Sequence, residues 1–180
     1  MNIRPATVRD VPAIADLIAA FAQRGKMLFR SHAELYETLR DFFVAEDTGN
    51  VIGICALEII WADLAEVRSL AVNPANQKRG IGRQLVQTVI AEAQRLEIQR
   101  VFALTYEQNF FERLGFSTVN KNALPQKVWS GCVKCPKRHS CDEIAVVKTV
   151  SSMAFSPLLE DSHPEHRYEV PTPLIRSTMK

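Results

Sequence analysis

Residues 70–83 read Leu70-Ala71-Val72-Asn73-Pro74-Ala75-Asn76-Gln77-Lys78-Arg79-Gly80-Ile81-Gly82-Arg83. The apolar start predicts the end of a strand, Asn73-Pro74 a turn, and Gly80 onward a helix, because Leu85, Val86, Val89, Ile90, Ala93 and Leu96 recur at helical spacing. Gly80 and Gly82 lack a Cβ, so the backbone there can approach a ligand closely, and the N–H groups opening the helix point outward with its positive dipole end. Lys78, Arg79 and Arg83 add charge around the same turn. An anion suits this stretch, and a pyrophosphate is its natural occupant. An isolated Gly-x-Gly does no more than start a helix. Two of three glycines, between strands that read as antiparallel, do not make a dinucleotide fingerprint, and no Gly-Lys-Ser/Thr follows to make a Walker loop.

Working outward, residues 64–72 form the strand entering this turn. Residues 42–46 and 51–60 are β-branched and aromatic runs around Asp47-Thr48-Gly49-Asn50, which predicts an antiparallel hairpin. Residues 2–6 read as a strand, and Asp10 can cap a helix carrying Val11, Ile14, Leu17, Ile18 and Phe21, ended by Gly25. Ser31 with Glu34 has the form of a capping box opening a second helix that ends near Arg40. Downstream, residues 100–105 predict a strand, 109–114 a short helix stopped by Gly115, and 128–129 and 144–150 two further strands. The order β-α-α-β-β-β-α-β-α-β-β predicts an α/β (α+β) domain with a mixed, largely antiparallel twisted sheet flanked by helices. This domain is expected over residues 1–150, including a cysteine-rich loop at 131–142. Residues 151–180, interrupted by Pro157, Pro164, Pro171 and Pro173, read as an arm or a disordered tail.

With 180 residues, 47% hydrophobic and 23% charged, the chain can bury one core. Its formal charge of +2 comes from 22 basic and 20 acidic side chains mixed along the chain, a pattern that favours a small substrate over nucleic acid or an anionic membrane. No run approaches the ~20 apolar residues of a membrane span, and Arg4 and Arg9 flank no apolar leader core, so a cytoplasmic location is expected. Assembly as a homodimer stays open. Cys132, Cys135, His139 and Cys141 offer four N/S donors. His139 and Cys141 are only two apart, however, so reduced thiols or a transient disulfide are the preferred reading and no metal is assigned.

Gln77-Lys78-Arg79-Gly80-Ile81-Gly82 matches the Gln/Arg-x-x-Gly-x-Gly/Ala motif of the GNAT acetyltransferases, and the chain resembles that family over residues 3 to about 150. The Leu-Ala-Val-Asn-Pro approach and the ending Phe110-Phe111-Glu112-Arg113-Leu114-Gly115-Phe116 carry the same resemblance. It implies a GNAT-type fold that binds acetyl-CoA, with pyrophosphate on the N–H groups of residues 78 to 83 and pantetheine pairing with the backbone of Leu70 and Val72. The cofactor-binding set is then Leu70, Ala71, Val72, Gln77, Lys78, Arg79, Gly80, Ile81, Gly82 and Arg83. Where many relatives place a tyrosine acid, this chain has Phe111. A thiolate with a conjugate acid near ~8.5 leaves without much assistance, and Tyr106, at the end of the preceding strand, is the candidate substitute donor.

Acetyl transfer requires a neutral amine, and a carboxylate is a common device for taking the ammonium proton. Glu66 on the strand entering the motif either serves as that base or pairs with Arg68 two positions along the same face. The segment Ala65-Glu66-Val67-Arg68-Ser69-Leu70 resembles the one that carries the catalytic glutamate in short, stand-alone N-acetylglutamate synthases. In the same group the arginine of an Arg-Ser pair grips a substrate carboxylate, and Arg30-Ser31 stands in that place. Lys26 and Lys127 are candidates for a second carboxylate. The resemblance thus implies transfer to an amino acid, above all L-glutamate, as in arginine biosynthesis. A protein-directed acetyltransferase and a non-catalytic acetyl-CoA-binding module are the alternatives.

Overall fold

In a computed structural model of the chain, the described residues are 1–124, 135, 137 and 140–151. The elements are β1 (Asn2–Pro5), α1 (Val11–Ala22), α2 (His32–Glu37), β2 (Phe42–Asp47), β3 (Asn50–Trp61), β4 (Leu64–Val72), α3 (Ile81–Arg95), β5 (Arg100–Thr105), α4 (Gln108–Glu112), β6 (Ser117–Val119) and β7 (Ile144–Thr149). The strands make one seven-stranded sheet in the order β1-β2-β3-β4-β5-β7-β6. Every neighbouring pair is antiparallel except β4 and β5, which run parallel. The strands flanking the glycine turn are therefore not antiparallel as the sequence suggested. A parallel pair needs a crossover, and α3 supplies it.

Alternation along the strands divides the core between two faces of the sheet. Leu85, Val86, Val89 and Ala93 of α3 pack on one side with Cys55, Leu57, Ala65, Val67, Val101 and Ala103. Gly53 lets α3 come close, since a Cβ there would meet Leu85 Cδ1 at 3.1 Å and Ile81 Cγ2 at 3.2 Å. On the other side Val11, Ile14 and Ile18 of α1 and Leu35 of α2 cover Phe42, Val44, Ile54 and Ala56. Burying a side chain of this size fully stabilises the fold by about 1.5–3 kcal/mol.

Two irregularities in β4 shape the site. Ala56 pairs with Arg68 and Ile54 with Ala71, so β4 carries one more residue than β3 over this interval, and Ser69 takes a left-handed φ of 51° there. On its other edge β4 pairs with β5 only at Leu64, Ala65 and Glu66, although β4 continues to Val72 and β5 to Thr105. The two strands part beyond Glu66, leaving a wedge lined by backbone.

Several expectations changed at the level of single elements. Asp10 holds the N-cap position of α1 but makes no side-chain cap bond to it. Its carboxylate instead accepts from the Thr7 amide at 2.7 Å and from both Arg4 Nη atoms, at 2.7 and 2.9 Å. The capping box of Ser31 and Glu34 forms, but α2 ends at Glu37 and a one-turn 3-10 helix, Leu39–Asp41, covers the rest of the expected helix. β6 was not anticipated from its three residues. The expected strand at 128–129, residues 131–134 of the cysteine loop, Cys132, His139 and residues 152–180 lie outside the described residues.

Candidate functional site

At the mouth of the wedge, Lys78 and Gly80 both have positive φ, 61° and 78°, and together they turn the chain from β4 into α3. Gly80 is the N-cap of α3 without a side-chain cap bond, and the first intrahelical bond runs from the Gln84 amide to the Gly80 carbonyl. Among the described residues no hydrogen bond engages the amides of residues 78 to 83. They form a concave run of N–H donors with the α3 dipole behind them, bordered by the exposed side chains of Lys78, Arg79 and Arg83. Beside Gly80 the nearest atom to an added Cβ is Gln84 Nε2 at 4.0 Å, so the approach is open. Gln77 Nε2 donates to the Val72 carbonyl at 3.1 Å and braces the turn. Ala71 and Ile81 are buried, which leaves them only their backbone to offer a ligand.

Glu66 lies where β4 and β5 part and is 9% exposed. Burial, together with the charge of Glu143, pushes its carboxyl up to about 8, against the pull of Arg30. Its Oε2 is 3.5 Å from Arg68 Nε, while Arg68 Nη1 holds the Glu58 carboxylate on the facing strand. Both readings of Glu66 thus have geometry behind them, because it is a partly paired but buried carboxylate with raised basicity. Asp41, raised by burial and lowered by Arg30 and Arg68, belongs to the same group of charges.

Arg30 reaches this region from the loop before α2. Its Nη2 donates to Thr38 Oγ1 at 3.1 Å, and its guanidinium carbon lies 5.6 Å from the centre of the Phe42 ring. Lys26 is drawn instead to Tyr106, with its ammonium 5.3 Å from the ring centre. Lys137 flanks the same ring at 5.2 Å and donates to the phenol oxygen at 3.2 Å, while the Tyr106 hydroxyl donates to Asp142 at 3.0 Å. Tyr106 therefore joins the Lys26 loop to the segment before β7, with burial foremost in raising its phenol pKa. Lys127 lies outside the described residues.

Phe111 is 3% exposed and packs edge-on against Phe110 and Phe116, with ring centres 5.2 and 5.1 Å away. Cys135 and Cys141 are free, and Cys141 Sγ lies 3.4 Å from Lys121 Nζ. No cluster of three or more His, Cys, Asp or Glu residues capable of holding a metal ion occurs among the described residues. No helix among them is long and apolar enough to cross a membrane. Sequence reasoning missed Glu58 and Glu143 as neighbours of Glu66, and Asp41 as a charge acting with Arg30 and Arg68. Glu58 was discoverable from the hairpin register, which sets it opposite Glu66, whereas Asp41, in the 3-10 turn before β2, and Glu143, just before β7, carry no such signal.

The acetyltransferase (GNAT) domain family matches residues 38–118. The chain is 44% identical over 148 residues to an uncharacterized N-acetyltransferase of Chlorobaculum tepidum, covering 82% of this chain and 96% of that one. It is 40% identical over 131 residues to an amino-acid acetyltransferase of Mycobacterium tuberculosis, covering 71% and 74%. Among solved structures, a Mycobacterium tuberculosis protein in complex with CoA superposes with a TM-score of 0.74 at 31% identity, over 83% of this chain and 99% of that one. N-acetylglutamate synthase of Neisseria gonorrhoeae, complexed with coenzyme A and N-acetyl-glutamate, gives 0.76 at 30% identity over 83% of this chain. This chain spans 35% of that synthase.

Proposed function

We infer the reaction from the premise that the chain belongs to the GNAT family of acetyltransferases: it moves the acetyl group of acetyl-CoA to the amine of an amino acid, and that amino acid is L-glutamate. The observation that carries this reading is the buried Glu66 carboxylate at the point where β4 and β5 separate, between the amide cradle of residues 78 to 83 and the Arg30 loop.

Acetyl-CoA is the first substrate. Its pyrophosphate suits the unpaired amides and cationic rim at the start of α3, and its pantetheine suits the unpaired edge of β4 at Leu70 and Val72, where an extended amide chain can pair as a strand would. The thioester then lies in the wedge beside Glu66. The ammonium of the acceptor gives a proton to Glu66, its nitrogen bonds to the thioester carbonyl carbon, the carbon–sulfur bond breaks with the electrons leaving on sulfur, and the nitrogen loses a second proton as the amide forms, which balances the one that the sulfur takes up. A carboxyl poised near neutrality matches this task, since an ordinary carboxylate is too weak a base for an ammonium. Tyr106, whose phenol keeps its proton at neutral pH, is the proposed donor to the departing thiolate, and Tyr106→Phe is its test.

Glutamate as acceptor rests on Arg30, with Lys26 for a second carboxylate and Lys127 proposed beside it. A guanidinium binds a carboxylate by two parallel bonds, which an amino acid requires and a peptide N-terminus does not. The reading also agrees with the amino-acid substrates named for similar proteins, and its product belongs to arginine biosynthesis. The deciding experiment is a screen of free amino acids and lysine-containing peptides for acetyl-dependent release of CoA. Glutamate should lead the amino acids, and faster turnover of peptides would overturn the proposal.

A further inference from the structure

Glu58, Glu66 and Arg68 lie together on the α1/α2 face of the sheet, and their order is specific. The Arg68 side chain presents one edge to each of two acids: Nη1 holds Glu58, while Nε stands 3.5 Å from Glu66. The second distance is long for a charge-assisted bond, which falls near 2.7–2.9 Å. The side chains grade outward in exposure, from 12% at Glu66 through 24% at Arg68 to 35% at Glu58. Hairpin register fixes this arrangement, because Glu58 and Glu66 are direct partners across β3 and β4 and Arg68 is two residues from Glu66 on the same face.

We propose that Glu58 and Arg68 are positioning residues for acetyl transfer: Glu58 takes the guanidinium's closer contact and holds it off Glu66, so that Arg68 orients the Glu66 carboxylate without neutralising it. This rests on the reading of Glu66 as the base. A fully engaged guanidinium would fix the carboxylate as an anion too weakly basic to accept an ammonium proton, while no guanidinium would leave it free to rotate in the wedge. The shared arginine supplies orientation at partial charge. The other charges facing Glu66 are Arg30 from the loop before α2 and Glu143 from the segment before β7, with Asp41 from the turn before β2 facing the two guanidiniums. None of these lies on the β3–β4 hairpin, so a change at Glu58 leaves them in place.

The test is a pair of opposed shifts. In Glu58→Gln, Arg68 closes onto Glu66, and the acidic limb of the kcat/KM profile should move to lower pH by about one unit with a reduced plateau. In Arg68→Gln the limb should move to higher pH, with kcat down about tenfold and the KM for acetyl-CoA unchanged. Arg68→Lys should keep the position of the limb but recover only part of kcat, because an ammonium lacks the second edge. Shifts in the same direction, or no shift in either variant, overturn the proposal. Titration of the Glu66 carboxyl by 13C NMR in the same proteins gives a readout independent of turnover. If Glu66→Gln retains the wild-type rate, the base assignment fails, and the NMR titration still decides whether Glu58 and Arg68 hold Glu66 as described.

Discussion

The Gln77 side-chain amide donates to the Val72 carbonyl at 3.1 Å, tying the first residue of the glycine motif to the last residue of β4. The bond spans the 3-10 turn Pro74–Asn76 and fixes where the amides of residues 78 to 83 begin. Gln77→Ala removes it. One such bond contributes about 0.5–1.5 kcal/mol, so the KM for acetyl-CoA should rise roughly threefold to tenfold while kcat at saturating acetyl-CoA stays near wild type. Steady-state kinetics with varied acetyl-CoA measures this, and an unchanged KM would show that the brace is irrelevant to the cradle.

Gly82 faces Phe110 and Val72, and an added Cβ would sit 3.6 Å from Phe110 Cζ in ordinary contact. Gly82→Ala should therefore fold and bind acetyl-CoA almost normally. Gly82→Trp should abolish measurable binding, because the larger side chain must spread over the amides proposed to receive the pyrophosphate. Calorimetry on both variants, with thermal melts to verify folding, separates loss of the cradle from loss of the fold.

Glu66→Gln should lower the rate at neutral pH by roughly 10²-fold with acetyl-CoA affinity intact, the scale of general base catalysis. The wild-type kcat/KM should fall on the acidic side of a limb near the pH of about 8 at which Glu66 ionises, since only the deprotonated carboxyl accepts a proton. The same burial has a stability consequence. A carboxyl whose pKa is raised on folding is more readily ionised in the unfolded chain, so stability declines as pH climbs from about 4.5 toward 8. Glu66→Gln should thus melt at a higher temperature than wild type at pH 9 and match it near pH 5.

Much of this architecture was legible because it follows local chemistry. The period of α3, the turn at Thr48-Gly49 and the capping box of Ser31 and Glu34 each depend on residues close in sequence, and each formed. The parallel relation of β4 and β5 was not legible, since direction between strands depends on where the crossover helix packs. The extra residue near Ser69 was equally hidden, because nothing about a serine announces a positive φ. In the site, Glu66 and Arg68 could be paired from strand alternation, but the raised basicity of Glu66 depends on burial beneath elements from distant parts of the chain. Tyr106 stands out in the sequence only as a phenol at a strand end, and its bridging of Lys26, Lys137 and Asp142 required the fold.

Asp10 illustrates a structural charge of the opposite kind. Hydrogen bonds from Arg4, aided by Thr7, hold its carboxyl down at about 2, below its ordinary value of 3.8. The stabilisation is complete above the ordinary value and is lost as pH falls through 2. Arg4 also bonds Glu46 at 2.5 Å, so it staples β1, β2 and the start of α1 together. Arg4→Ala should cost on the order of 1–3 kcal/mol at pH 7, with the deficit shrinking below pH 4. Urea unfolding at the two pH values measures it, and kinetics should change little.

Arg30 is the residue proposed to select the acceptor. It leaves the loop after α1 just before the Ser31 cap, and Thr38 at the far end of α2 holds its Nη2 at 3.1 Å while its own hydroxyl donates to the Glu34 carbonyl. The guanidinium is thus steadied from one side over Phe42, and its charge acts on both Glu66 and Asp41. A substrate carboxylate arriving there would meet a fork already oriented, which reduces the ordering cost of binding. Arg30→Ala should raise the KM for glutamate by about 10- to 100-fold, the range set by about 1.5–3 kcal/mol for a charge-assisted pair, and leave acetyl-CoA affinity unchanged. Arg30→Lys should recover part of the loss, and Thr38→Val should give a smaller increase by removing the anchor. The pattern to measure is KM against kcat for glutamate, glutamine and a neutral amino acid. If Arg30→Ala weakens all three acceptors equally, the guanidinium is not reading a carboxylate that distinguishes glutamate.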